Sequence, residues 1–229
     1  MRSISVGLLS VSLAVFASIG SPAIARADTI GNAPIYTTNI DSCSNCGYIV
    51  GQPFGSAGEI VTSFTFYSGV DYYNYFFGPS EGDIAPLLFN GVDNGDGTTT
   101  FTEIGYGADQ TVTSDGVQTL SFDLQGGTDV TGTNTYFGFY DQNGSVVTFN
   151  YMSNPTPDGG TYLLGGDIGL GNAITLNNTS YDTDIISDLN DRDYAISAST
   201  LTPEPSSFIL LGTGILGVAG VARRRFLKA

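Results

Sequence analysis

Between residues 28 and 202 no segment keeps an apolar period of 3.6 residues for even ten residues, while glycine-bearing turn dipeptides recur between short β-rich runs. Asn94-Gly95, Asp115-Gly116, Gly126-Gly127, Asn143-Gly144 and Asp158-Gly159-Gly160 are such breaks. Asn-Gly and Asp-Gly accept positive φ, which tight hairpins require. The runs between them alternate. Ile60 to Tyr67 places Ile60, Phe64 and Phe66 on one face, and Gln118 to Leu124 points Leu120, Phe122 and Leu124 inward. Further runs are Tyr72–Phe77, Ile84–Phe89, Thr98–Ile104, Thr135–Tyr140, Ser145–Tyr151, Tyr162–Leu164, Ala173–Leu176 and Tyr194–Ser199. About ten short strands in about 175 residues predict an all-β domain. The expected form is a two-sheet antiparallel sandwich, jelly-roll-like, over 28–199. No fixed-period repeat is present, which argues against a β-solenoid.

Charge and missing residue types narrow the chemistry of this body. All 22 Asp and Glu lie between Asp28 and Glu204, and the single base there, Arg192, leaves the span at −21. Such a surface repels nucleic acid and anionic polymers and attracts divalent cations. Its plainer role is to keep the chain soluble. With no His there is no Ser-His or Cys-His pair and no imidazole metal site. With no Lys in the body there is no Schiff base, and Gly165-Gly166 lacks the spacing and Lys of a phosphate loop.

The two ends are of another kind. Arg2, an apolar stretch from Ile4 to Ile19 and the small-residue track Ala23-Ile24-Ala25-Arg26-Ala27 predict a signal peptide, 1–27, cut after Ala27. At the other end stand Thr200 to Pro205, a greasy run and Arg223-Arg224-Arg225. Residues 206–222 give 17 positions, the lower edge of what crosses hydrocarbon. Gly212, Gly214, Gly217 and Gly220 weaken a water-soluble helix there but are tolerated in lipid. The arginines hold their end, 223–229, on the cytoplasmic side. A marginal, glycine-rich span suits a transient anchor.

The order of Pro203-Glu204-Pro205, short apolar helix and basic end resembles the PEP-CTERM tail of exported bacterial proteins. The resemblance covers residues 200–229 and implies a partner and a route. Exosortase, a membrane-embedded cysteine protease, would cut near the box, and the product would go to the Gram-negative envelope, surface or polymer matrix. Pro203, Glu204 and Pro205 carry over as recognition residues, and Arg223, Arg224 and Arg225 as the stop-transfer end. The resemblance says nothing of what the body does.

Within the body, each candidate site has a plainer alternative. Cys43 and Cys46, three apart in an exported chain, predict a small-loop disulfide, with a redox-active pair as the alternative. Asp93-Asn94-Gly95-Asp96-Gly97-Thr98 fails the EF-hand template, since Gly stands at the third and fifth positions and Ile104 at the twelfth. A tight turn is the better reading. Asp182, Asp184, Asp188, Asp191 and Asp193 form an acidic loop beside Arg192, so calcium is the one cofactor the chain suggests and none is required. Rings cluster at Tyr72, Tyr73, Tyr75, Phe76 and Phe77, and again at Tyr136, Phe137, Phe139 and Tyr140. Sugar-binding sandwiches expose such rings, and Tyr73 with Asp71 is the glycan-binding candidate; core packing is the alternative. Glu59, Glu81 and Glu103 qualify by type for carboxylate glycosidase chemistry, but no spacing selects a pair. The expectation is a non-catalytic surface or matrix protein. A carbohydrate-binding module for exopolysaccharide, with or without calcium, comes second and a carboxylate-only hydrolase third.

Overall fold

The computed structural model describes residues 29–35, 37, 39–40, 45–70, 82–142, 146–151, 160–178, 189–190 and 192–202. The expected signal peptide, the Tyr72–Phe77 run and the whole tail from 203 lie outside them, as do Asp71, Tyr73, Glu81 and Cys43. The described residues all belong to one unit, Ala27–Thr202.

That unit is all-β, and its strands pair antiparallel throughout. A four-stranded sheet runs in the order β1 (Thr29–Gly31), β16 (Ile196–Leu201), β4 (Ile60–Ser68) and β8 (Gly116–Ser121). A nine-stranded sheet runs β13 (Ala173–Asn177), β6 (Thr98–Gly107), β5 (Gly82–Asp93), β10 (Thr135–Gln142), β3 (Cys46–Pro53), β12 (Thr161–Leu164) and β14 (Leu189–Asn190). Two short strands join it off this path, β7 (Gln110–Val112) on β5 and β9 (Leu124–Gly127) on β6. A third sheet, of β15 (Arg192–Tyr194), β11 (Thr148–Tyr151) and β2 (Asn39–Ile40), was not expected from the sequence.

One core joins all three sheets. Phe64 and Phe66 of β4, Tyr48 of β3, Phe137 and Phe139 of β10, Phe149 of β11 and Tyr194 of β15 are buried in it together. Phe64 meets Phe137 at 5.9 Å between ring centroids, and Tyr48 stacks on Phe139 at 4.7 Å. Each fully buried ring is worth about 1.5–3 kcal/mol in apolar burial, so these seven contribute a large share of the stabilisation that joins the sheets. Arg192, the one base of the body, lies 4.6 Å from the centroid of Phe149.

Three departures from the sequence pattern have physical causes. The face of β4 carries Val61 rather than Ile60 beside Phe64 and Phe66, because the pairing with β16 shifts register between Ser199 and Thr200. A bulge there reverses the alternation for the residues before it. The run Gln118 to Leu124 is not one strand. It breaks at Phe122-Asp123 as the chain passes from the four-stranded sheet to the nine-stranded one, with Phe122 buried at the crossing. The third is β3, where Tyr48, Ile49 and Val50 are buried in succession. A strand covered on both faces shows no alternation, so Tyr48-Ile49-Val50 between Gly47 and Gly51 carried only the weaker signal of a short apolar run.

The other face of the nine-stranded sheet has its own smaller core of Ile49, Leu87, Phe89, Phe101, Tyr162, Leu164 and Leu176. Alternation on β10 sends Phe137 and Phe139 to the main core and Tyr136 and Tyr140 to this outer side.

Candidate functional site

The outer side also carries a cleft of about 420 Å³. Its floor is Ala85 and Leu87 of β5, and its walls bring together Tyr106, Asp109, Gln125, Tyr140, Gln142 and Asp167. The register explains the meeting. Leu87 pairs with Tyr106 and Ala85 with Tyr140, so strands β6, β5 and β10 present these residues side by side on one face.

Tyr106 is 37% exposed, and it lies against Gly126, its partner in the β6–β9 pairing. A Cβ on Gly126 would come within 2.6 Å of the Tyr106 ring, so the ring packs close against backbone that only glycine leaves bare. Tyr140 donates a hydrogen bond to Asn45 Oδ1 at 3.4 Å. Burial first, then the charges of Asp167 and Asp109, raise the pKa of the Tyr140 hydroxyl, so it remains a proton donor.

Asp167 reaches the cleft on the glycine-rich segment after β12. Its Oδ1 accepts the Gly169 N–H at 2.9 Å, and Asn172 Nδ2 donates to the Ile168 carbonyl at 2.7 Å. Gly169 and Gly171 stand at φ of 82° and 80°, a conformation that favours glycine. The segment is docked on β6 by two reciprocal bonds, from Gly171 N–H to the Glu103 carbonyl and from Glu103 N–H to the Asn172 carbonyl.

Behind that segment lies Glu103, whose side chain is 1% exposed. Burial, and then the Asp167 carboxyl beside it, raise its pKa to about 8, with the Gly169 N–H opposing in part. Among the described residues no partner meets hydrogen-bond length and angle at either oxygen, so Asp167 acts by proximity rather than through a well-made bond. At neutral pH Glu103 is therefore protonated, and sealed.

Other sequence candidates fall elsewhere. Glu59, also buried, accepts the hydroxyls of Thr200 and Thr202 at the end of β16. Asp93 Oδ1 accepts the Gly95 N–H at 2.8 Å, and Asp96 Oδ1 takes both the N–H and the hydroxyl of Thr98. The Thr98 hydroxyl and then its amide hold the Asp96 carboxyl below its usual range. The 93–98 loop is thus a hairpin turn whose carboxylates cap their own backbone. Among the described residues no three Asp, Glu or Cys side chains converge as a metal cage. Cys46 opens β3 and is buried, and its expected partner Cys43 lies outside the described residues. So do Asp71 and Tyr73, Glu81, four of the five acids at 182–193, and the sorting residues Pro203, Glu204, Pro205, Arg223, Arg224 and Arg225.

Of the cleft residues, sequence reasoning had noted only Tyr140, within an aromatic cluster. Tyr106 lay just past the expected strand end at Ile104, and the glycine it packs against, Gly126, is distant in sequence. Asp109, Gln125, Gln142 and Asp167 come together only through sheet pairing.

The body alone does not announce a class; the tail does. The family model of the PEP-CTERM protein-sorting motif matches residues 201–225. No curated protein and no solved structure matches the chain. The chain therefore carries the address of an exported protein sorted by exosortase. The match begins at Leu201, the last residue of β16, so the motif starts inside the folded body.

Proposed function

We propose that this chain is a non-catalytic surface or matrix protein whose interaction site is the outer-face cleft. It is exported through residues 1–27 and held by residues 206–222 until exosortase acts near Pro203-Glu204-Pro205. The sorting motif at 201–225 is the observation that carries this reading. The acidic, cation-poor body supports it, since such a surface stays soluble and apart from anionic polymers outside the cell. Fractionation of expressing cells, with intact mass of the recovered protein, tests it. The expected product lacks residues 1–27, is trimmed near the box and lies in the envelope or medium. Full-length chain in the cytoplasm would overturn the proposal.

The hydrolase reading has less support. Glu103, the carboxyl raised to about 8, is shut away from the cleft by the segment that carries Asp167. A calcium-assisted binder predicts a rise in melting temperature on adding calcium, abolished by chelation.

A further inference from the structure

We propose that the cleft binds a neutral, hydroxyl-rich glycan, with Tyr106 as the stacking ring. The inference rests on the reading of the cleft as an interaction site and adds the ligand's chemistry. Four observations converge on it.

The Tyr106 ring is exposed, lines the cleft, and lies so close to Gly126 that any side chain there would collide with it, so apolar ring surface is available to a ligand in the opening. The C–H faces of sugar rings pack on such a surface. Around it stand groups suited to hydroxyls. The Gln125 and Gln142 amides both donate and accept, the Asp109 and Asp167 carboxylates accept, and the Tyr140 hydroxyl keeps its proton. A volume of about 420 Å³ falls within the usual range of small-ligand sites. Finally, among the described residues no Lys or Arg lines the cleft, and the body around it stands at −21. Phosphate, sulfate and uronate are thereby repelled. A cationic ligand would use the carboxylates, the ring and the carbonyl oxygens of the amides, leaving only the amide N–H groups without a role.

Electrophoresis of the full-length, detergent-solubilised protein through gels containing dextran, galactomannan, alginate or chitosan tests this. At least one of the two neutral polymers should retard the protein, and alginate should not. Tyr106→Ala should weaken that retardation about tenfold, while Tyr106→Phe, which keeps the ring, leaves it near the starting value. Gln142→Ala is a second variant, at a strand position of intermediate exposure, and should weaken it severalfold. The proposal is overturned if neither neutral polymer retards the protein. It is also overturned if Tyr106→Ala and Gln142→Ala, folded by circular dichroism, both run as the parent does, or if only chitosan retards it in a salt-sensitive way. Those outcomes leave the fractionation result untouched, so loss of the ligand assignment is distinguishable from loss of the surface reading.

Discussion

Thr200 donates its hydroxyl to Glu59 Oε2 across 141 residues of sequence, at the buried end of the last strand. Thr202 adds a second, longer bond of 3.4 Å to Oε1. The Glu59 backbone is itself fixed, its N–H to the Thr131 hydroxyl at 3.2 Å and its carbonyl to the Thr131 N–H at 2.8 Å. One carboxylate thus holds the residues from which the sorting box departs. Glu59→Ala should lower stability by about 1–3 kcal/mol, as loss of a buried acceptor does. It should also speed amide exchange at residues 200–202 while β10 stays protected. Uniform exchange across the body in the variant would argue against a local clasp.

Glu103 makes the body's stability depend on pH in an unusual direction for a carboxyl. Its pKa rises from an ordinary 4.5 to about 8 in the folded chain. The folded state binds the proton more tightly, so this stabilisation is complete below about 4.5 and is lost as pH climbs through about 8. Glu103→Gln, neutral throughout, should flatten that decline, with a difference on the order of a few kcal/mol at pH 9. Asp193, whose pKa burial also raises, leaves a residual slope. Paired melting curves from pH 4 to 9 check this, and parallel curves for parent and variant would refute it.

Two glycines should respond differently to a methyl group. A Cβ at Gly105 would stand 2.0 Å from the Thr128 carbonyl oxygen, a backbone atom that cannot swing aside. Gly95, at φ 75°, has nothing within 4 Å of its would-be Cβ. Gly105→Ala should cost on the order of 3 kcal/mol through overpacking, and Gly95→Ala about 1 kcal/mol through backbone conformation alone. Denaturant unfolding of the two variants gives the comparison, and equal losses would contradict it.

How much of this could be read beforehand depended on whether the signal was local. The hairpin at Asn94-Gly95 and the strands β4, β6 and β10 were visible because turn chemistry and alternation are written in consecutive residues. Val61 taking the place of Ile60 was invisible, since the bulge arises from pairing with Ser199 and Thr200, far away in sequence. The strand β3 was missed for the opposite reason, its apolar stretch Tyr48-Ile49-Val50 being short and without alternation. The cleft was the least legible feature. Its residues come from four strands and two connecting segments, and only Tyr140 stood in an aromatic cluster visible in the chain.

The cysteine pair yields a chemical test. Asn45, between the cysteines, has φ 65°, a turn conformation that asparagine tolerates, and its side chain accepts from Tyr140 at the cleft. A Cys43–Cys46 bridge would hold that turn in place. Alkylation of the unfolded, unreduced protein should then add no mass, and alkylation after reduction should add two groups. Two groups added without reduction would show the thiols to be open.

Leu201 closes the last strand, Thr202 bonds Glu59 just beyond it, and the matched sorting motif begins with the same two residues. A chimera that transplants the signal from Pro203 onward carries the postmark but leaves its foothold behind. Conversely, a recombinant body trimmed at residue 199 would shed the hydroxyls that seat Glu59 and should emerge frayed along that margin. Cargo and label share two residues of sequence in this chain.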